Sequence, residues 1–286
     1  MLLNFNVAIP TAFDPDESLN TGNTLKIMET LYERGVRSIL VCGSTGEQHS
    51  LALDEKLQLL QALESARLPG DLQLLFGVAG IRMKEVLSLA SAVSGTKSIA
   101  AIMLGFPPYL RLSQREALLY ARHIIATAQK PVQLYNNPAR TGFDLSVEST
   151  VSLAADPLVI SLKEAGDISK IRKLRPAITK PFSYFMGGET DMITKLEAGF
   201  DAISSIGGNL IPEAIRDIIT AWHAGDRQTA GKRNEAIMAA LAPLYGADSL
   251  LPTLKMLLNE KGIPAGICRS PLALPDPART HFINQS

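Results

Sequence analysis

Short apolar runs alternate along the chain with longer stretches in which apolar residues return every three or four positions. The short runs are Asn6–Ile9, Ser38–Val41, Leu72–Phe76, Ile99–Leu104, Val132–Tyr135, Val159–Lys163, Phe182–Met186 and Ala202–Ser205. Several are apolar throughout, the pattern of parallel strands covered on both faces. The longer stretches predict helices over Thr24–Glu33, Asp54–Ala66, Met83–Ser94, Gln114–Ala128, Val147–Ala154, Ile168–Leu174, Asp191–Ala198 and Pro212–Ala224. Start signals agree with these assignments. Ser113 precedes Glu116 at capping-box spacing, Asp54 opens the second helix, and Pro212 suits a first helical turn.

Eight β/α units therefore fill residues 1–224, recurring every roughly 20 to 35 residues, which predicts a (β/α)8 TIM barrel. A doubly wound open sheet would carry a glycine-rich phosphate turn after its first strand. That position reads PTAFDPDE, without glycine. From Gly225 the pattern changes to two helices, Asp226–Leu244 and Leu250–Glu260, and a proline-rich tail over Ile263–Pro277. Residues 225–286 read as a helical C-terminal extension packed on the barrel.

Composition narrows the partners. Lys plus Arg and Asp plus Glu both number 28, so no basic excess points to nucleic acid. The two cysteines, Cys42 and Cys268, form no CxxC pattern, and the N-terminus lacks the basic region of a secretory signal. No apolar run reaches the length of a membrane span. A cytoplasmic protein is expected.

In a barrel the chemistry belongs to the C-terminal ends of the strands. Lys163 ends the sixth apolar run, just before a helix that opens near Asp167. A desolvated amine there can attack a ketone and form a Schiff base. Alternatively, Lys163 pairs with Glu164 in solvent. Tyr135 ends the preceding run one unit earlier, so both side chains should reach one opening, where a phenol could relay protons. After the second run, Gly43-Ser44-Thr45-Gly46-Glu47 is either an anion seat or an ordinary turn. Arg140 lies in a Pro-to-Gly loop and could clamp a carboxylate or form a surface ion pair. Tyr109 follows Pro107-Pro108 on a stiff loop that could reach a site or a neighbouring subunit. Glycine pairs at Gly187-Gly188 and Gly207-Gly208 keep a phosphate ligand open as an alternative. The four histidines share no metal-ligand spacing, and Glu47, Glu164 and Glu189 lack a histidine partner, so no metal is expected. There is no P-loop and no GxSxG elbow.

Three motifs, GSTGE at Gly43–Glu47, YNNPARTG at Tyr135–Gly142 and LKEAGD at Leu162–Asp167, together resemble the dihydrodipicolinate synthase/N-acetylneuraminate lyase family. The likeness runs to about Asn209. It implies a class I Schiff-base lyase needing no cofactor, with Lys163 forming the imine with pyruvate and Tyr135 relaying protons. It further implies Ser44 and Thr45 on the keto-acid carboxylate, Arg140 on the aldehyde substrate, and Gly188 and Ile203 near pyruvate. Tyr109 would complete a Ser44–Tyr109–Tyr135 hydroxyl chain across subunits of a homotetramer or dimer. Arg140 and Glu164 resemble the synthases, which condense pyruvate with aspartate semialdehyde to 4-hydroxy-tetrahydrodipicolinate. Departures from the synthase pattern are Pro108, Ser44, Leu53, Lys56 and the ADSLLPTLK stretch at Ala247–Lys255. They leave two further expectations. One is an aldolase or dehydratase acting on a sugar-derived 2-oxo acid, like N-acetylneuraminate lyase or a 2-keto-3-deoxy acid aldolase. The other is a non-catalytic phosphate- or keto-acid-binding barrel.

Overall fold

A computed structural model describes residues 1–273. The eight apolar runs are strands β1 (Phe5–Ala8), β2 (Ser38–Val41), β3 (Gln73–Val78), β4 (Ile99–Gly105), β5 (Val132–Asn136), β6 (Val159–Glu164), β7 (Ser183–Gly187) and β8 (Ala202–Ser205). All pair in parallel, and β1 closes on β8, giving the expected (β/α)8 barrel. Alternation along each strand sorts the side chains. Val7, Ile39, Phe76, Leu134 and Leu162 face outward and join the helices in one large core. Ala8, Leu40, Leu75, Met103 and Phe185 point inward and fill the barrel.

The helices are α1 (Thr21–Glu33), α2 (Leu53–Ser65), α3 (Met83–Ser94), α4 (Gln114–Ala128), α5 (Pro138–Thr141), α6 (Val147–Ala154), α7 (Lys170–Ala177), α8 (Met192–Ala198), α9 (Pro212–His223), α10 (Arg227–Ala240), α11 (Ala242–Tyr245) and α12 (Leu250–Glu260). The capping box on α4 forms as expected: the Glu116 N–H donates to Ser113 Oγ at 3.3 Å, and Ser113 N–H donates to the Glu116 carboxylate at 2.8 Å. The elements depart from the sequence reading at several ends: α1 starts at Thr21, not Thr24, α2 starts at Leu53, so Asp54 does not open it, and β3 runs on to Val78. Asp167 does not open α7; its carboxylate accepts from the Ser169 N–H and holds a turn instead. The single helix expected over Asp226–Leu244 divides at Leu241 because Pro243 brings no N–H and its ring would clash with the preceding turn. The loop after β5 contains a helical turn, α5, which carries Arg140 and was not foreseen.

The C-terminal helices are tied into the barrel. The Lys255 ammonium of α12 lies 2.6 Å from the Glu47 carboxylate in the loop after β2, and both side chains are 0% exposed. Lys255 also donates to the Ile267 carbonyl and sits over the Phe13 ring. Trp222, near the end of α9, is buried, with the Arg227 guanidinium over its indole. The end of the proline-rich tail and His281 lie outside the described residues. No helix among the described residues is long and apolar enough to cross a membrane.

Candidate active site

Tyr135 and Lys163 are register partners on β5 and β6. A register shift at Val132–Gln133 precedes this pairing and brings the two side chains level. Lys163 is only 6% exposed, and its ammonium sits 4.7 Å from the centre of the Tyr135 ring. It donates to Ser204 Oγ of β8 at 3.0 Å. Room for the lysine comes from Gly187 on β7, where a Cβ would meet Lys163 Cε at 3.3 Å. Burial pushes the lysine amine below its ordinary range, and Arg140 adds to this, while the Tyr135 phenol and Glu189 partly oppose it. A larger fraction of free amine, the nucleophilic form, follows.

The Tyr135 phenol meets the opposite balance. Burial alone would raise it, but the Lys163 ammonium, Asn137, Ser44 and Arg140 outweigh burial and bring it below the ordinary phenol value. Asn137 Nδ2 donates to the phenol oxygen at 2.6 Å. A lowered phenol beside a lowered amine can trade a proton with a bound carbonyl at small cost.

Two joined cavities open at this end of the barrel. The inner one, about 100 Å³, holds Lys163, Thr45, Ala165, Gly187 and Ile206. The outer one, about 220 Å³, is lined by His49, Gln48, Phe106, Pro108 and Thr141. Ser44, Tyr135, Asn137 and Arg140 line both. The close fit of β3 under the turn after β2 depends on Gly77, where a Cβ would lie 1.9 Å from the Cys42 carbonyl oxygen.

Lys163, Tyr135, Ser44, Thr45 and Arg140 thus converge on one site. Gly188 and Ile203 do not line it. Strand alternation turns Ile203 outward into the helix-side core, and the inward residue is Ser204. Gly188 lies one step past the cavity, its N–H on the Ser204 carbonyl. Gly187 and Ile206 line the cavity in their place. Tyr109 is 89% exposed with φ 75°, so it does not reach the cavity of its own barrel. Ser204, Asn137, Leu250 and Leu251 escaped the sequence reading. The parity of AISS could have pointed to Ser204, but nothing in the sequence brings α12 to the lysine.

The nearby carboxylates have partners of their own. Glu164 does not pair with Lys163 in solvent. It faces away from the barrel axis, is 2% exposed, and accepts from Asn136 Nδ2 and from the Gly166 N–H at 2.7 Å. Burial pushes its carboxyl up to about 7 despite those bonds. Glu189 accepts from Ser205, Tyr245 and the N–H groups of Ile206 and Gly207. Of the glycine N–H groups that left a phosphate open as an alternative, that of Gly207 is thus taken by a carboxylate of the chain itself, that of Gly208 by Ser205 Oγ and that of Gly188 by the Ser204 carbonyl.

The sequence model of the dihydrodipicolinate synthetase family matches residues 1–280. A 4-hydroxy-tetrahydrodipicolinate synthase of Desulforamulus reducens is 30% identical over 267 residues, which cover 93% of this chain and 89% of the relative. The chloride-inhibited dihydrodipicolinate synthase of Acinetobacter baumannii, solved with pyruvate, is 26% identical. It superposes with a TM-score of 0.85 over 97% of this chain and 95% of that one. Dihydrodipicolinate synthase of Aquifex aeolicus, 21% identical, shares the fold with a TM-score of 0.91 over 99% of this chain and 96% of that one.

Proposed function

The chain belongs to the dihydrodipicolinate synthetase family, and from that premise we propose that it condenses pyruvate with aspartate semialdehyde to 4-hydroxy-tetrahydrodipicolinate. The observation that carries this reading is the buried, depressed amine of Lys163 between Tyr135 and Ser204, in a cavity sized for a small keto acid and open to a larger one. The free amine attacks C2 of pyruvate and a C–N bond forms. The former carbonyl oxygen leaves as water, with its protons passing through Tyr135. The imine then accepts the electrons released when the methyl group gives a proton to the Tyr135 phenolate. The resulting enamine carbon attacks the aldehyde, whose oxygen takes up a proton from Tyr135. The amine of the second substrate displaces Lys163 from C2, which closes the ring and frees the enzyme. Ser44 and Thr45 hold the keto-acid carboxylate in the inner cavity, and Arg140 binds the carboxylate of the second substrate at the junction with the outer one. The chemistry requires no metal or organic cofactor because the imine itself stores the electrons.

In the assembly we propose, a homotetramer or dimer, Tyr109 crosses into the neighbouring site and joins Ser44 and Tyr135. Its exposure, its left-handed backbone and the exposed Leu110 beside it support this. Residues 1–224 act as the catalytic barrel and, among the described residues, 225–273 as an extension of it, supported by the Lys255–Glu47 tie and by Leu250 and Leu251 in the inner cavity. A cytoplasmic location suits the two free, buried cysteines. Pro108 at the outer cavity favours a second reading, a sugar-derived 2-oxo acid as substrate.

Trapping decides the chemistry. Pyruvate with borohydride should add mass irreversibly at Lys163, and Lys163→Arg should stay unlabelled; an unlabelled wild type refutes the imine. Coupled assays with aspartate semialdehyde against a panel of sugar-derived 2-oxo acids then separate the two substrate readings.

A further inference from the structure

Beneath the reactive lysine, three polar side chains point into the barrel among the apolar residues that fill most of it. Gln133 and Ser161 lie two residues before Tyr135 and Lys163 on the same inward faces, and the intervening Leu134 and Leu162 face the helices. On β1, Phe5 and Val7 face outward and Ala8 inward, so Asn6 also points into the barrel, beside its register partner Ser204. Asn6, Gln133 and Ser161 are all fully buried. Below them the barrel is closed by Leu2, Ala202 and Ile160.

Both amide atoms of Asn6, both of Gln133 and the Ser161 hydroxyl lack a hydrogen-bond partner among the described residues. Leaving five such atoms dry would cost as much as the whole net stability of an ordinary domain. Enclosed polar sites of this kind hold water, each molecule bonded to two to four groups. Ser204 accepts from Lys163, and its own proton has no acceptor among the described protein groups.

We infer that Asn6, Gln133 and Ser161 enclose ordered water in the barrel directly beneath Lys163, and that this water takes the Ser204 proton and so orients Ser204 to hold the lysine amine. The three are positioning residues, acting on Lys163 through water and Ser204. Their hydration is independent of the proposed reaction; only its use rests on that reading. Water on this side solvates the charged amine. The titratable and charged groups facing Lys163 are Tyr135 from β5, Glu189 from the loop after β7 and Arg140 from α5. None of these comes from the layer below. Replacing that layer with apolar groups removes solvation and leaves those three unchanged, so the amine should lose its proton at lower pH.

A crystal structure of the full chain, at a resolution that shows ordered water, tests the first part. Density bonded to at least two of the three side chains is expected. An empty layer, or side chains bonded directly to one another, overturns the inference. Competitive acetylation of Lys163 with acetic anhydride, followed by mass spectrometry across pH, tests the second part without pyruvate. In Gln133→Leu the half-labelling pH should fall by about one unit; an unchanged or raised value overturns the link to the lysine. Should Gln133→Leu fail to fold, Ser161→Ala, which removes only a hydroxyl, is read in the same way. Loss of pyruvate trapping in the wild type would refute the proposed reaction and leave both of these readouts standing.

Discussion

Replacing Lys255 by Met tests how firmly α12 is tied to the loop that carries Ser44 and Thr45. The ammonium lies 2.6 Å from the Glu47 carboxylate, with both side chains fully buried. At an effective dielectric of about 20, that separation corresponds to a gross attraction of about 6 kcal/mol. Taking the two ions out of water costs several kcal/mol each, so the intact pair contributes little net stability over a neutral replacement of similar shape. Removing one partner is a different matter. Glu47 would stay buried with only the Arg269 N–H, at 3.1 Å, and the Cys268 thiol to satisfy it. The loss should be about 3–5 kcal/mol. For a chain of this size that corresponds to a fall of roughly 6–10 °C in the melting midpoint. Thermal unfolding followed by circular dichroism at one fixed protein concentration measures it. The double variant Lys255→Met/Glu47→Gln removes the stranded charge and should recover more than half of the loss. A single variant that melts within about 2 °C of wild type would refute the reasoning, and so would a double variant that melts at the sum of the two single losses.

Two further outcomes follow from the site. Glu164, whose carboxyl is pushed up to about 7 by burial, holds its proton in the folded chain at pH values where the unfolded chain has released it. Stability should therefore fall as pH rises from about 4.5 to about 7, by about 3 kcal/mol from this group, and that slope should vanish from the stability–pH profile of Glu164→Gln. A variant profile parallel to wild type would contradict the burial argument. Arg140→Ala should raise the KM for a carboxylate-bearing second substrate by roughly 10- to 100-fold, the worth of a charge-assisted bond, with pyruvate trapping at Lys163 retained; equal loss of both would mean that Arg140 acts on the inner cavity.

The alternation of apolar runs and helical stretches determined the barrel, because buried parallel strands must be apolar on both faces and the helices between them on one. Strand ends and repeat spacing were enough to bring Lys163 and Tyr135 to one opening, and short motifs carried Ser44, Thr45 and Arg140 with them. Local chemistry also set the α4 cap and the proline break before α11. What the tertiary structure decided lies between residues far apart in the chain. Closure of β8 on β1 brought Ser204 to the lysine and turned Ile203 away. The return of α12 put Leu250 and Leu251 into the inner cavity and Lys255 onto Glu47. Glu189 and Ser205 took the Gly207 and Gly208 N–H groups that glycine content alone had left open to phosphate. Each of these neighbours depends on strand register, barrel closure and the path of a distant helix. Those features are fixed by the packing of the whole core and leave no mark within a local stretch of sequence.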